Sequence, residues 1–153
     1  MTERSDVSRS QKGMKIIGLG VDIVEISRVE RLMWETPRFL ERVFGPEEIA
    51  RIKRSKSPAR HAAARFAAKE AVAKAIGTGV RGFSFKDIVV LNDASGRPYV
   101  ELRDAAREVA ALAGVSEVAI SLSFSRDNAV ASAVAIGDGS GQESGRASRI
   151  IQL

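Results

Sequence analysis

Asp22 stands in the stretch "GLGVDIVEI", two residues after Gly20 and four after Gly18. Glu70 and Lys74 stand in "RFAAKEAVAKAIG", four residues apart, with Gly77 three further on. In a strand alternate residues share a face, so Gly18, Gly20, Asp22, Val24 and Ile26 point the same way. A carboxylate on such a face needs a hydrogen bond, an ion pair or a bound cation. Taken alone, Asp22 reads as a strand-end acid paired with a nearby arginine. The two glycines favour a closer approach by backbone or ligand, because they carry no side chain. At ~100° per residue, Glu70, Lys74 and Gly77 fall on one helical face, with Phe66 beside them. The plain reading is an i,i+4 ion pair on a solvated stripe, worth about 0.3 kcal/mol. The more specific reading is a site for a metal-bound diphosphate. A carboxylate would hold Mg2+, the lysine would neutralise phosphate oxygens, and the glycine would let a backbone N–H approach them. Mg2+ takes one or two carboxylates and leaves its other positions to water and phosphate, so Asp22 and Glu70 would suffice.

A second cluster is cationic. Arg51, Lys53, Arg54, Lys56, Arg60, Arg65 and Lys69 follow one another with no acid between Glu48 and Glu70. A charge run is ordinarily a solvated face, but seven cations without compensation point to contact with an anion. No helix-turn-helix, zinc-finger or RNA-recognition signature accompanies them, and aromatic residues for base stacking are scarce, which argues against nucleic acid. His61 falls roughly opposite Glu70 on the same helix and reads as structural rather than as a base. Trp34 reads as a partial core anchor.

The elements that must position these residues follow from periodicity and punctuation. "MKIIGLGVDIVEI" reads as a buried strand. Ser27 with Glu30 three residues on has the form of a capping box, opening a helix with Val29, Leu32 and Met33 inside. Pro37 restarts a helix through "RFLERVF", which Gly45-Pro46 stops, and "PEEIARIKR" forms another. Ser57-Pro58 opens a long alanine-rich helix that Gly77 closes. "FSFKDIVVLN" and "RPYVEL" read as strands around the turn "DASG". A helix over "RDAAREVAALAG" follows, and "EVAISLSFS" pairs with "AVASAVAI" as a closing hairpin. The order predicts an α+β fold, a largely antiparallel sheet packed on a long central helix. Residues 1–13 and the Gly/Ser-rich 138–153 read as flexible tails around one domain at 14–137.

The whole chain narrows the function classes. Its 153 residues suffice for one domain with a core. A net charge of +5 favours an acidic or phosphorylated partner. The absence of cysteine excludes disulfides and thiolate metal sites and fits a reducing, cytoplasmic setting. One histidine excludes any site needing two from one chain. No apolar run approaches the ~20 residues of a membrane span.

With these residues in view, "GLGVDIVEISRV", "RFAAKEAVAKAIGTG" and "DIVVLNDASGRPYVEL", in this order and spacing, resemble the holo-acyl-carrier-protein synthases. These are the small bacterial 4′-phosphopantetheinyl transferases of fatty-acid synthesis. The resemblance covers essentially all of 14–136, and "RFLERVFGPEE" is similar as well. It implies the 4′-phosphopantetheinyl transferase fold and transfer of 4′-phosphopantetheine from coenzyme A to a serine of acyl carrier protein. The other product would be adenosine 3′,5′-bisphosphate. Asp22 and Glu70 match the family's Mg2+-binding acids, and Lys74 and Gly77 match positions beside the diphosphate. Arg65 matches a basic position near the coenzyme A phosphates, and Arg28 one that meets the carrier protein. The family also implies a homotrimer with sites between subunits. One position departs. The family's closing hairpin reads Ser-x-[Ser/Thr]-His-[Ser/Thr], whereas this chain has Ser121, Leu122, Ser123, Phe124 and Ser125. Ser123 and Ser125 remain candidate phosphate-side hydroxyls. Phe124 can neither donate a hydrogen bond to phosphate nor relay a proton. The alternative reading is therefore a catalytically weakened relative that binds coenzyme A or carrier protein without efficient turnover.

Overall fold

A computed structural model describes residues 13–79 and 81–140. The expected tails lie outside the described residues, apart from 13 and 138–140. The chain runs β1 (Lys15–Glu25), α1 (Ile26–Glu35), α2 (Phe39–Val43), α3 (Pro46–Arg54) and α4 (Pro58–Ile76). A 3-10 turn (Phe85–Asp87) leads to β2 (Ile88–Asn92) and β3 (Pro98–Leu102). Helix α5 (Asp104–Leu112), β4 (Glu117–Phe124) and β5 (Asn128–Gly137) complete it. The strands form an antiparallel three-stranded sheet in the order β1-β5-β4 and an antiparallel β2-β3 ribbon. The α+β expectation is met, with α4 at the centre.

Small residues explain that centre. Along α4, Ala62, Ala63, Ala64, Ala67, Ala68, Ala71, Ala73 and Ala75 are all buried. Strand β5 turns Ala129, Ala131, Ala133 and Ala135 inward, none more than 1% exposed, by strict alternation with Val130, Ser132, Val134 and Ile136. Strand β1 presents Gly18 and Gly20 to the same helix. A Cβ built at Gly18 would lie 1.9 Å from the Ala75 carbonyl oxygen, and one at Gly20 would lie 1.9 Å from that of Ala71. The spacings match: two strand residues span about 6.6 Å and four helical residues about 6 Å, so both glycines meet the helix in register. Strand and helix backbones therefore touch directly.

Three local expectations are corrected. Ser27 does not cap α1: the strand runs straight into the helix with Glu25 at the N-cap, and the Ile26 amide donates to the Asp127 carbonyl at 2.9 Å. A tertiary partner has replaced the local box. "FSFKD" does not begin the strand, because Ser84 and Asp87 cap one another and hold a 3-10 turn, delaying β2 to Ile88. Trp34 is not a core anchor. It lies five residues, about 140°, from buried Val29 and is 86% exposed. The other expected inward positions hold: Val29 is buried and Leu32 and Met33 pack against the core. Gly77 ends α4 in the left-handed region at φ 92°, as expected.

Candidate active site

Asp22, Glu70 and Lys74 come together where β1 crosses α4. The Lys74 ammonium donates to Asp22 Oδ1 at 3.2 Å and to the Val21 carbonyl at 2.9 Å. Lys74 is half exposed and the Asp22 side chain is 18% exposed, so solvent reaches the pair and it can exchange partners. Glu70 is partly buried. Burial first, and the charge of Asp22 second, hold its carboxyl above the ordinary range, with Lys74 pulling the other way. Two carboxylates close enough to repel, one of them poorly solvated, attract a cation. Among the described residues no group of three His, Cys, Asp or Glu gathers as a protein-only metal cage. An ion that takes two carboxylates and leaves its remaining positions to water and phosphate fits this donor set, and Mg2+ is such an ion.

Gly77 is adjacent, but its role differs from expectation. Its N–H is engaged by the Ala73 and Lys74 carbonyls at 3.3 and 3.0 Å, closing the helix. What it offers a ligand is a bare Cα, not a free donor.

The remaining candidates do not join this trio within one chain. Arg65 lies about 140° around α4 from Glu70, facing β2. It is 3% exposed and donates through Nη2 to Asn92 Oδ1 at 3.1 Å, while its Nε has no partner. Its Nη1 reaches His61 only at 3.4 Å. Burial, then Arg65, Arg51 and Arg60, hold the His61 imidazole below its usual range. Phe124 ends β4 on the face towards α4, 42% exposed, with the Arg60 guanidinium 5.2 Å from its ring centroid. Arg60 precedes Glu70 by ten residues, about 15 Å along the helix. Ser123 points out from the opposite face of the strand. The Ser125 hydroxyl accepts the Asn128 amide at 3.0 Å within the hairpin turn. Arg28 is exposed on α1.

The basic run is therefore not one surface. Arg51, Lys53, Arg54, Lys56 and Arg60 are exposed, whereas Arg65 and Lys69 are buried. Lys69 is wholly buried and paired with the equally buried Glu48 at 2.8 Å. Sequence reasoning missed this pair, since its members stand 21 residues apart with no local pattern to join them. It also missed a groove of about 750 Å³ beside exposed Trp34, lined by Ile26, Met33, Lys56, Arg60 and Arg126. Helical spacing from Val29 already placed Trp34 outward.

The chain matches the model of the 4′-phosphopantetheinyl transferase superfamily over residues 18–134 and belongs to that superfamily. Its relatives there are holo-[acyl-carrier-protein] synthases, and this is the enzyme family to which it belongs. The relative from Clostridium acetobutylicum is 48% identical over 119 residues, 78% of this chain and 96% of that protein. The crystal structure of the Neisseria meningitidis synthase superposes with a TM-score of 0.74 at 38% identity, covering 79% of this chain and 98% of that one. The Bacillus anthracis synthase in complex with coenzyme A (3′,5′-ADP) has a TM-score of 0.67 at 34% identity, covering 82% and 99%. Among the described residues no helix is long and apolar enough to cross a membrane.

Proposed function

We propose that the protein transfers 4′-phosphopantetheine from coenzyme A to a serine of acyl carrier protein in a Mg2+-dependent reaction. The observation that carries this reading is the meeting of Asp22, Glu70 and Lys74 where β1 packs on α4. Asp22 and Glu70 are the residues that would hold the metal. A bound Mg2+ would polarise the phosphoryl group and offset charge on the leaving phosphate.

The chain's own residues do the rest. Lys74, held over Asp22 by the Val21 carbonyl and half exposed, would turn its ammonium to a phosphate oxygen of the substrate. The bare Cα of Gly77 leaves room for the diphosphate beside it. The serine oxygen attacks the phosphorus that bears pantetheine, and the bond from that phosphorus to the bridging oxygen breaks. Adenosine 3′,5′-bisphosphate leaves with that oxygen, and the serine proton passes to solvent or to the leaving phosphate. Exposed Arg28 and the overall positive charge steer an acidic carrier protein.

Arg65 and the hairpin residues Ser123, Phe124 and Ser125 lie apart from the trio within one chain, which supports a site completed by a second copy. The outer face of β1 supports this too: Leu19, Val21 and Ile23 are each more than 60% exposed in a row beside Val130 and Val134 of β5. A homotrimer with sites between subunits would cover this strip, and the buried guanidinium of Arg65 would meet coenzyme A phosphates. The cysteine-free chain fits a cytoplasmic enzyme of fatty-acid synthesis.

The test is to incubate the protein with Mg2+, coenzyme A and apo-carrier, and weigh the carrier. A gain of one phosphopantetheine, lost when the carrier serine is replaced by alanine, is expected. A carrier of unchanged mass would overturn the reading. Retained binding in that case would mark a weakened relative.

A further inference from the structure

Lys69 immediately precedes Glu70 and sits on a different face of α4. Its ammonium donates to Glu48 Oε1 at 2.8 Å, to the Phe85 carbonyl at 2.9 Å and to the Ile88 carbonyl at 2.5 Å. It also lies 5.2 Å from the Phe44 ring centroid. Glu48 accepts the Gly45 amide at 3.1 Å and, through Oε2, the Val90 amide at 3.3 Å. Each ammonium proton and both carboxylate oxygens thus have a partner. One buried nitrogen joins α3, α4, the 3-10 turn and the start of β2.

The rest of α4 explains why such a device is needed. Its buried surface is largely methyl groups, and the elements it meets on the far side are Gly18, Gly20 and the alanines of β5. Close contact of that kind fixes the distance between helix and sheet. Towards the sheet it resists rotation weakly, because methyl groups form only shallow ridges; Val72 and Ile76 are the larger apolar side chains that α4 buries. Glu70 needs that angle. With a carboxylate ~6 Å from the axis, a 20° turn moves it about 2 Å. That is a whole Mg–oxygen bond length, about 2.1 Å. Hydrogen bonds weaken steeply when misaligned, and three acceptors converging on one atom define an angle that methyl packing leaves loose.

We propose that Lys69, with Glu48 as its counter-charge, is a positioning residue that sets the rotation of α4 about its own axis and so aims Glu70 and Lys74 at Asp22. This rests on the function proposed above for the role of Glu70, and it adds a buried residue that touches no reacting atom. Polar pairs buried at a cost in stability are best attested in this register-setting use.

The test uses Glu48→Gln with Lys69→Met, which removes both charges and nearly keeps the volume. Folding is checked by circular dichroism and a cooperative thermal transition. Mn2+ affinity is then read by electron paramagnetic resonance with coenzyme A present, and the angle of α4 is read from a crystal structure of the variant. The expected result is a folded protein in which α4 has turned, Mn2+ binds at least about tenfold more weakly, and kcat falls while KM for the carrier stays near its original value. A purely structural role would lower the melting temperature and leave metal affinity and helix angle as they were; that result overturns the proposal. Should the pair of substitutions abolish folding, Lys69→Arg is read in the same way, because a planar fork cannot meet three acceptors converging on one point. Wild-type Mn2+ affinity in a folded Lys69→Arg protein overturns the proposal equally. Failure of the proposed function appears in the wild type, as a carrier that gains no mass. Failure of this inference appears in the variants alone.

Discussion

Replacing Gly20 by alanine is the most direct probe of how the fold serves the site. The added Cβ would lie 1.9 Å from the Ala71 carbonyl oxygen, 2.8 Å from its carbon and 3.0 Å from the Ala75 nitrogen. All three are backbone atoms, so no side chain can swing aside. To restore even a tight 3.0 Å contact, β1 must retreat from α4 by about 1.1 Å. Overpacking of this kind costs about 1–3 kcal/mol. The lower unfolded-state entropy of alanine returns about 0.4–1 kcal/mol. The net loss of about 1–2 kcal/mol corresponds to a melting temperature lower by roughly 4–8 °C for a domain of this size. Asp22 is two residues further along the same strand. The same retreat stretches its 3.2 Å contact with Lys74 beyond about 4 Å, out of ion-pair range. A misplacement of about 1 Å in a reacting constellation costs on the order of 100-fold in rate. Differential scanning calorimetry and a mass-resolved carrier assay read the two effects separately. Gly13→Ala is the control, because nothing lies within 4 Å of the added atom. It is expected within about 0.5 kcal/mol of wild type. A Gly20→Ala protein with the melting temperature and turnover of wild type would refute the claim that backbone contact between β1 and α4 sets the site.

Lys74→Met should change stability by less than about 1 kcal/mol, since its ion pair is half exposed, yet lower kcat by about 100-fold or more; equal small effects on both would remove Lys74 from the site. Glu70 holds its proton more tightly in the folded chain than in the unfolded one, through burial and then Asp22. Raising pH from the ordinary carboxylate value through its elevated folded value therefore removes stability. A cation between Asp22 and Glu70 should restore it, so Mg2+ should raise the melting temperature more at about pH 7.5 than at about pH 5. Thermal scans of Glu70→Gln should lose that difference, and its persistence would place the ion elsewhere. Phe124→His should lower KM for coenzyme A several-fold with little change in kcat, measured by initial rates; an unchanged KM would show that this position does not meet the phosphates.

Asp22, Glu70 and Lys74 were legible in the sequence because each lies within a periodic element whose phase can be counted. Two glycines two residues apart put Asp22 towards the helix, and the i,i+4 rule put Lys74 beside Glu70. The antiparallel pairing of β4 with β5 was legible through the two strand-like runs on either side of the polar turn at Arg126–Asn128. What was lost lies between elements. Glu48 and Lys69 meet across three elements, and a lysine amid six other cations looks solvated until the fold shows which face it occupies. Arg65 was legible as a cation but not as a buried one with an unpartnered Nε. The start of α1 was lost because its first amide finds the Asp127 carbonyl, about a hundred residues away, in place of Ser27.

The two lysines of α4 show how one helix divides stability from chemistry. Lys74 pairs with Asp22 where the ammonium is half exposed, so the bond is weak and exchangeable. Lys69 pairs with Glu48 where neither meets water, so removing one partner alone would strand the other charge at a cost of about 3–5 kcal/mol. An exchangeable contact cannot orient a helix, and an ammonium whose three protons are all engaged has none left for substrate. Placing them on different faces, five residues apart, lets the dry pair hold the angle at which the wet pair works. The glycines of β1 and the alanines of β5 complete the division, since they bring the helix close enough for that angle to matter.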